Sequence, residues 1–405
     1  MISSSGLKPC FRSHRPPGGI LVKNPFFRCC LLVFLGLGIA PIASAKDSGY
    51  LEDPIGELVQ LNFSGRVTES FERVGNLLAA DPGDYRAYFI RATCYGWFIA
   101  VNPESRRYHN QLVESLKACI EHSSAVKPSS PEYSTALFFK AMAMIVEARF
   151  KSIRGNHLTS RWATRGAKEA AEELVSLVPE DIDAWLPLAI FHYFWGGSSI
   201  WMRMAQFAAR VPRGKKELGL SLLEDCAAKG EDSRLWASVV LLSIYTADNG
   251  NTEKAIKLAQ RLHNLFPDNA VFHLLLGDCY RELGRWEQTE AVYRNITAKV
   301  LSRVSSYDEV VFEISRLRTV ESQVELTKMD EAFAGIRSIL ISNPMHPEWI
   351  VPWAHLFAAR IYRYRDEWDR AERACRYALD SPDYENLHDM AKKELKAIEK
   401  KEELE

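Results

Sequence analysis

A self-similarity of 34 residues constrains this chain more than any other feature it has. Gly250 and Gly284, Leu242 and Leu276, and Ala255 and Thr289 all stand 34 apart. The stretch "LLLGDCYRELGRWEQTEAVY" (274–293) therefore has a predecessor in "WASVVLLSIYTADNGNTEKAIKLAQRLHNLFP" (236–267). A period of this length holds two helices and a turn, a unit too small to enclose its own apolar side. Leu276 and Tyr280, four apart, share one face of a first helix, and Gly277 leaves room for a close neighbour. Gly284 suits the left-handed residue that ends that helix. Trp286, Ala291 and Tyr293 then fall on a second helix folded back on the first.

A second pattern recurs at longer range. Apolar helices are expected to end at Pro82, Pro179 and Pro267, each followed by residues suited to capping the next helix. A ring stands six residues after each proline (Tyr88, Trp185, His273) and a small residue ten after (Ala92, Ala189, Gly277). Tyr95, His192 and Tyr280 stand thirteen after.

These spacings resemble the tetratricopeptide repeat family, with a ring at position 4, small residues at 8 and 20, Tyr at 11 and Pro at 32. In that register units begin near Tyr85, Ile182, Trp236 and Ala270, with Ala255 and Thr289 at position 20. Another begins near Pro352, with Ala359, Tyr362, Ala371 and Ala378 on pattern and Asp383 in place of the proline. The resemblance implies an all-α, right-handed solenoid of stacked antiparallel helix hairpins, whose concave face holds a protein or peptide segment. Pro344 closes a further second helix, "DEAFAGIRSILISNP", and the four prolines are 97, 88 and 77 apart. None of these intervals is a multiple of 34, so degenerate or inserted hairpins are expected in 99–131, 196–231 and 301–328. Within or beside them "PESRRYHNQLVESLKACIEHS", "STALFFKAMAMIVEARFKSI" and "GKKELGLSLLEDCAAKG" carry apolar residues at three and four spacing, as helices do. The total comes to seven to nine hairpins.

The ends read differently. Lys8, Arg12, Arg15, Lys23 and Arg28 precede the apolar run "CCLLVFLGLGIA" and then Ala43, Ser44 and Ala45, the layout of a secretory signal peptide cut after Ala45. The apolar run is short for an uncleaved membrane anchor, which is the alternative. The expected organisation is a signal peptide (1–45), degenerate repeats (46–231), better-formed repeats (232–383) and a charged capping helix and tail (384–405). The expected location is the periplasm or the exterior of the cell, where an envelope-associated complex is a candidate setting.

Cleavage removes five cations and no acid, leaving 46 basic against 52 acidic residues, a net charge near −6. A nucleic-acid partner is not expected, because no dominant basic face is available. Five cysteines remain, Cys94, Cys119, Cys226, Cys279 and Cys375; an odd, scattered set reads as buried apolar side chains, with Cys94 and Cys119 the pair open to oxidation. No His-Glu-x-x-His, Cys-x-x-Cys, Gly-x-Ser-x-Gly or phosphate-loop pattern occurs, so no metal, cofactor or catalytic role is expected. His192 and His273 hold positions where the repeat packs a ring.

The richest segment is 185–207. Trp185, Phe191, Tyr193, Phe194, Trp195, Trp201 and Phe207 exceed what one core-facing stripe accommodates, and Arg203, Arg210, Arg213, Lys215 and Lys216 lie beside them. Trp185, Tyr193, Trp195, Trp201, Arg203 and Arg210 are thus the candidate groove for a partner or ligand, against the plainer reading that neighbouring hairpins bury these rings. The expected function is a non-enzymatic exported scaffold. The alternative is a carrier of a small apolar or lipidic ligand, for the chain also resembles the repeat-built periplasmic component of some tripartite transporters.

Overall fold

The computed structural model describes residues 54–102, 105–153, 160–196, 213–247 and 251–402. The expected signal peptide and Gly250, Trp201, Arg203 and Arg210 lie outside the described residues. Within them the chain forms seventeen α-helices and one short 3-10 turn, with no strand. The helices are α1 Pro54–Phe63, α2 Val67–Ala80, α3 Tyr85–Val101, α4 His109–Ser124, α5 Tyr133–Ile153 and α6 Ser160–Leu177. The 3-10 turn Ile182–Trp185 leads into α7 Leu186–Gly196, then α8 Lys216–Lys229, α9 Arg234–Ala247, α10 Thr252–Leu265, α11 Ala270–Glu282 and α12 Trp286–Leu301. The last five are α13 Glu309–Glu325, α14 Met329–Ser342, α15 Ile350–Tyr364, α16 Trp368–Asp380 and α17 Leu387–Glu402.

Each helix packs on the next, and α3 on α5, α5 on α7, α11 on α13, α13 on α15 and α15 on α17. The odd-numbered helices are thus an inner row and the even-numbered ones an outer row, and a stack whose inner helices touch must curve toward them. Among the described residues eight hairpins, α1–α2 to α15–α16, are followed by α17, which packs on the last of them. Each interval between successive prolines, 82 to 179, 179 to 267 and 267 to 344, holds four of the described helices, so the uneven spacing comes from the lengths of helices and connections. Helices α4, α8 and α13, in the segments expected to hold insertions, are members of ordinary hairpins.

Local chemistry explains the repeat positions. Two residues after Leu265 the chain reaches Pro267, and Asn269 then caps α11, its side chain accepting from the Val271 and Phe272 amides at 2.9 and 3.3 Å. Gly284 ends the α11 turn at φ +66°, where the Arg285 amide donates to the Tyr280 carbonyl at 3.0 Å. A β-carbon on Gly277 would stand 2.8 Å from the Tyr293 ring, and Tyr293 donates to Asp278 at 2.7 Å, so the small residue on one helix is the seat of the tyrosine on the other. Ala92, Ala189, Ala255 and Ala371, small residues at matching repeat positions, are also buried. The five cysteines among the described residues are buried free thiols, Cys94 and Cys119 included. Burial pushes Cys94 up to about 11 and Cys226, Cys279 and Cys375 up to about 12.

The curvature brings the first hairpin back onto the middle of the stack. Phe63, with no exposed surface, lies 4.5 Å from the Trp236 ring, 5.4 Å from Phe266, 5.8 Å from Trp97 and 6.1 Å from Phe272. Asn269, while capping α11, also donates to the Phe63 carbonyl at 2.9 Å. Helix α3 touches α11 directly. One apolar core therefore runs from Ile55 to Cys279, and a second from Ala270 to Ile398; the two meet at α11.

Phe63→Ala empties the centre of four surrounding rings, and the expected loss is about 3–5 kcal/mol of unfolding free energy. Urea denaturation followed by tryptophan fluorescence measures it; a loss under about 1 kcal/mol would mean that the first hairpin is not seated this way.

Candidate functional site

On the inner row the two halves of the chain differ. Toward the N-terminus the face is closed by rings, with Phe63 and Trp97 against Trp236 and Phe272. Toward the C-terminus charge takes over, set at three and four spacing so that it falls on one side of each helix. Helix α11 carries Asp278, Arg281 and Glu282; α13 carries Arg318, Glu321 and Glu325; α15 carries Arg360 and Arg363; and α17 carries Glu394.

These residues make a ladder across four consecutive inner helices. Arg281 reaches Glu321 at 3.4 Å, and Arg318 donates to the same carboxylate at 2.8 Å and to Glu385 at 3.2 Å. Arg360 pairs with Glu325 at 3.0 Å and with Glu394 at 3.7 Å, and Arg363 also donates to Glu394. Arg318 is 2 % exposed, its guanidinium 5.3 Å over the Trp349 ring. Burial pushes the Glu321 carboxyl up, but Arg318 and Arg281 outweigh it and hold the group below the ordinary carboxylate range. Glu282 and Glu325 are each raised, by burial foremost, their arginines only partly offsetting it. Toward the rim the ladder becomes accessible: Glu325 and Arg363 have 37% and 39% of their side chains exposed, and Tyr364 is exposed. Such a face can hold a protein segment by charge and by the phenol; nothing in it forms a nucleophile with a base.

The sequence-predicted groove residues lie elsewhere. Trp185 donates its indole N–H to the Pro179 carbonyl at 3.0 Å. Tyr193 stands edge-on to Phe194 at 5.1 Å beneath Lys216, Phe194 lies under Arg149, and Trp195 stacks on the buried Phe191 at 5.4 Å. The rings around α7 thus meet neighbours of their own chain. Trp349, Trp353 and Phe357 are buried core, and Tyr362 is half-buried against Phe333. Among the described residues no group of three or more His, Cys, Asp or Glu is placed to hold a metal. An open cavity of about 520 Å³ lies along α14, lined by Phe333, Arg337 and Ile341 among others. The ladder escaped the sequence reading because charged residues on a helix usually face water. The recurrence of a charged pair three apart, 278/281, 318/321 and 360/363, was the available signal.

A polar cluster supports the seat of the first hairpin. His273, buried, stacks on His263 at 4.1 Å, with its Nδ1 3.0 Å from the Tyr307 hydroxyl, which donates to the Pro267 carbonyl at 3.1 Å. Burial, then His263 and Lys299, push His273 down to about 3; His263 is lowered by burial and Lys299, with Asp268 opposing.

The comparisons with known proteins bear on the same region. Residues 247–304, spanning α10 to α12, match the sequence profile of the tetratricopeptide repeat family. No curated protein matches the chain. Among solved structures, the human IFIT1 dimer with PPP-AAAA is 14% identical over 92% of this chain and 85% of its own, with a TM-score of 0.43. The human IFIT1 dimer with m7Gppp-AAAA is 14% identical over 93% and 86%, at 0.42. The P58(IPK) TPR domain is 15% identical over 87% of this chain and 99% of its own, at 0.27.

The histidine pair makes a signed prediction. Both folded-state values lie below the ordinary 6.5, so the unfolded chain takes up protons first. Their contribution to stability is complete above pH 6.5 and is lost as pH falls from there toward about 3. The urea midpoint of the parent is expected to fall more between pH 7 and 5 than that of His273→Gln; equal falls would show that the pair is not held neutral.

Proposed function

We propose that this chain, whose residues 247–304 match the tetratricopeptide repeat family, is a non-catalytic exported scaffold that holds a segment of a partner protein against the inner face of α11, α13, α15 and α17. The carrying observation is the division of the inner row. The first hairpin fills the face of the central repeats, while the C-terminal face is lined by polar side chains on α11, α13, α15 and α17, each packed on the next, and opens toward Glu325, Arg363 and Tyr364. Helices α11, α13 and α15, held between neighbours, present such a surface with little further ordering, which favours capture of a flexible segment. A nucleic-acid strand suits this face poorly, since its arginines are already paired with carboxylates. Export rests on the basic stretch, apolar run and Ala43-Ser44-Ala45 of the first 45 residues.

Two measurements test the reading. A photo-crosslinking amino acid at Tyr364, in the chain expressed in its own host, is expected to trap one discrete protein, and the same probe at Ile341 on the outer row is expected not to. Trapping at Ile341 alone, or at neither, would overturn the inner-face assignment. The intact mass of the protein recovered from its host is expected to begin at Lys46; a mass that retains the first 45 residues would contradict cleavage after Ala45.

A further inference from the structure

The loop between α16 and α17 has a feature found nowhere else among the described residues. Left-handed residues other than glycine occur singly at Arg303, Thr327, Asn343 and Asp366, but Glu385 and Asn386 adopt φ of +50° and +65° in succession. Side chains disfavour that conformation, so a joint built from two such residues persists only where contacts elsewhere hold it.

Those contacts can be named. Glu385 reaches out of the joint to Arg318, 67 residues earlier on the inner face of α13, at 3.2 Å. Beyond the joint, Glu394 is held by Arg360 and Arg363 of α15, and Leu387, Ala391 and Ile398 are buried against the second core. Around the joint, Asp383 accepts from the His388 amide at 3.0 Å, and the His388 ring meets the Ser381 carbonyl at 2.7 Å. Helix α17 packs on α15 and α16. It is thus joined to the end of the described stack through a strained attachment, and two carboxylates of its segment complete the arginine ladder.

We infer that residues 381–402 form a releasable strap: Glu385 and Asn386 are its hinge, the pairs of Glu385 with Arg318 and of Glu394 with Arg360 and Arg363 are its latch, and α17 lifts from the end of the stack while the other helices stay folded. Lifting withdraws both carboxylates from Arg318, Arg360 and Arg363. It also uncovers the apolar sides of α15 and α16, so the strap controls how much of the C-terminal inner face is open. The strap is a property of the chain alone and does not depend on the partner reading.

Native-state hydrogen exchange of the full chain, read by peptide mass spectrometry, tests it. Amides of α17 are expected to exchange at least about tenfold faster than those of α13 and α15, as a separately opening unit does. Glu385→Gln, which removes the latch charge, and Asn386→Val, which disfavours the left-handed hinge, are each expected to speed α17 exchange several-fold, on the order of tenfold, and leave α11 and α13 unchanged. Exchange of α17 in step with α13 and α15 in the parent would overturn the strap, and this arm needs no variant to fold. So would variants in which all helices lose protection together, or in which α17 is unaffected.

Discussion

The structure depends on where Phe63 goes. A two-helix repeat leaves one side uncovered, and a row of them normally leaves that side as an open face. Here the apolar helix α1 ends in a ring that has no solvent left, enclosed by Trp97, Trp236, Phe266 and Phe272, and Asn269 ties its carbonyl to the start of α11. The contact joins residues about 170 to 210 apart in sequence, so it fixes the curvature of everything between them. The first hairpin, the central repeats and the histidine cluster behind them become one body.

The inner face beyond that closure is governed by different physics. Burying arginines and carboxylates costs solvation that aromatic packing does not, and only a network in which every charge meets an opposite one keeps it stable. The ladder from Asp278 to Glu394 meets that condition by sharing: Glu321 serves two arginines, Glu394 serves two, and Arg360 bridges two carboxylates. Removing one member leaves a buried partner uncompensated, so the inner helices of the C-terminal half hold one another in register. The same pairing leaves the face polar, with six carboxylates to four arginines, and open at its rim, which suits contact.

Much of the architecture was legible in the sequence because it follows from short-range rules. Gly277 opposite Tyr293, Gly284 at a left-handed turn, and the prolines just past α2, α6 and α10 each occupy positions that a repeat requires. The helices α4, α5 and α8 were visible from apolar spacing alone, and α14 from the proline that closes it. The candidate site was not, for a reason that Arg318 makes clear. Its charge predicts a solvated helix surface, and it is buried because Trp349, Glu321 and Glu385 come to it from 3 to 67 residues away. The closure by Phe63 was equally hidden, since "PIGELVQLNF" reads as any apolar helix until the curve of the stack brings Trp236 and Phe272 to it. Rings at 193 to 195 drew attention by composition, yet those rings lie against their own neighbours.

The most direct test of this account is the distance between the first hairpin and the loop after the sixth. A β-carbon at Gly65 would lie 3.0 Å from that of Ser306, so the backbones at Arg66 and Arg303 stand within about 20 Å. Pulsed electron resonance between spin labels carried on non-canonical amino acids at Arg66 and Arg303 is expected to show one narrow short distance. A distribution centred near about 50 Å, as five successive hairpin spacings of about 10 Å would give in an open stack, would contradict the closure.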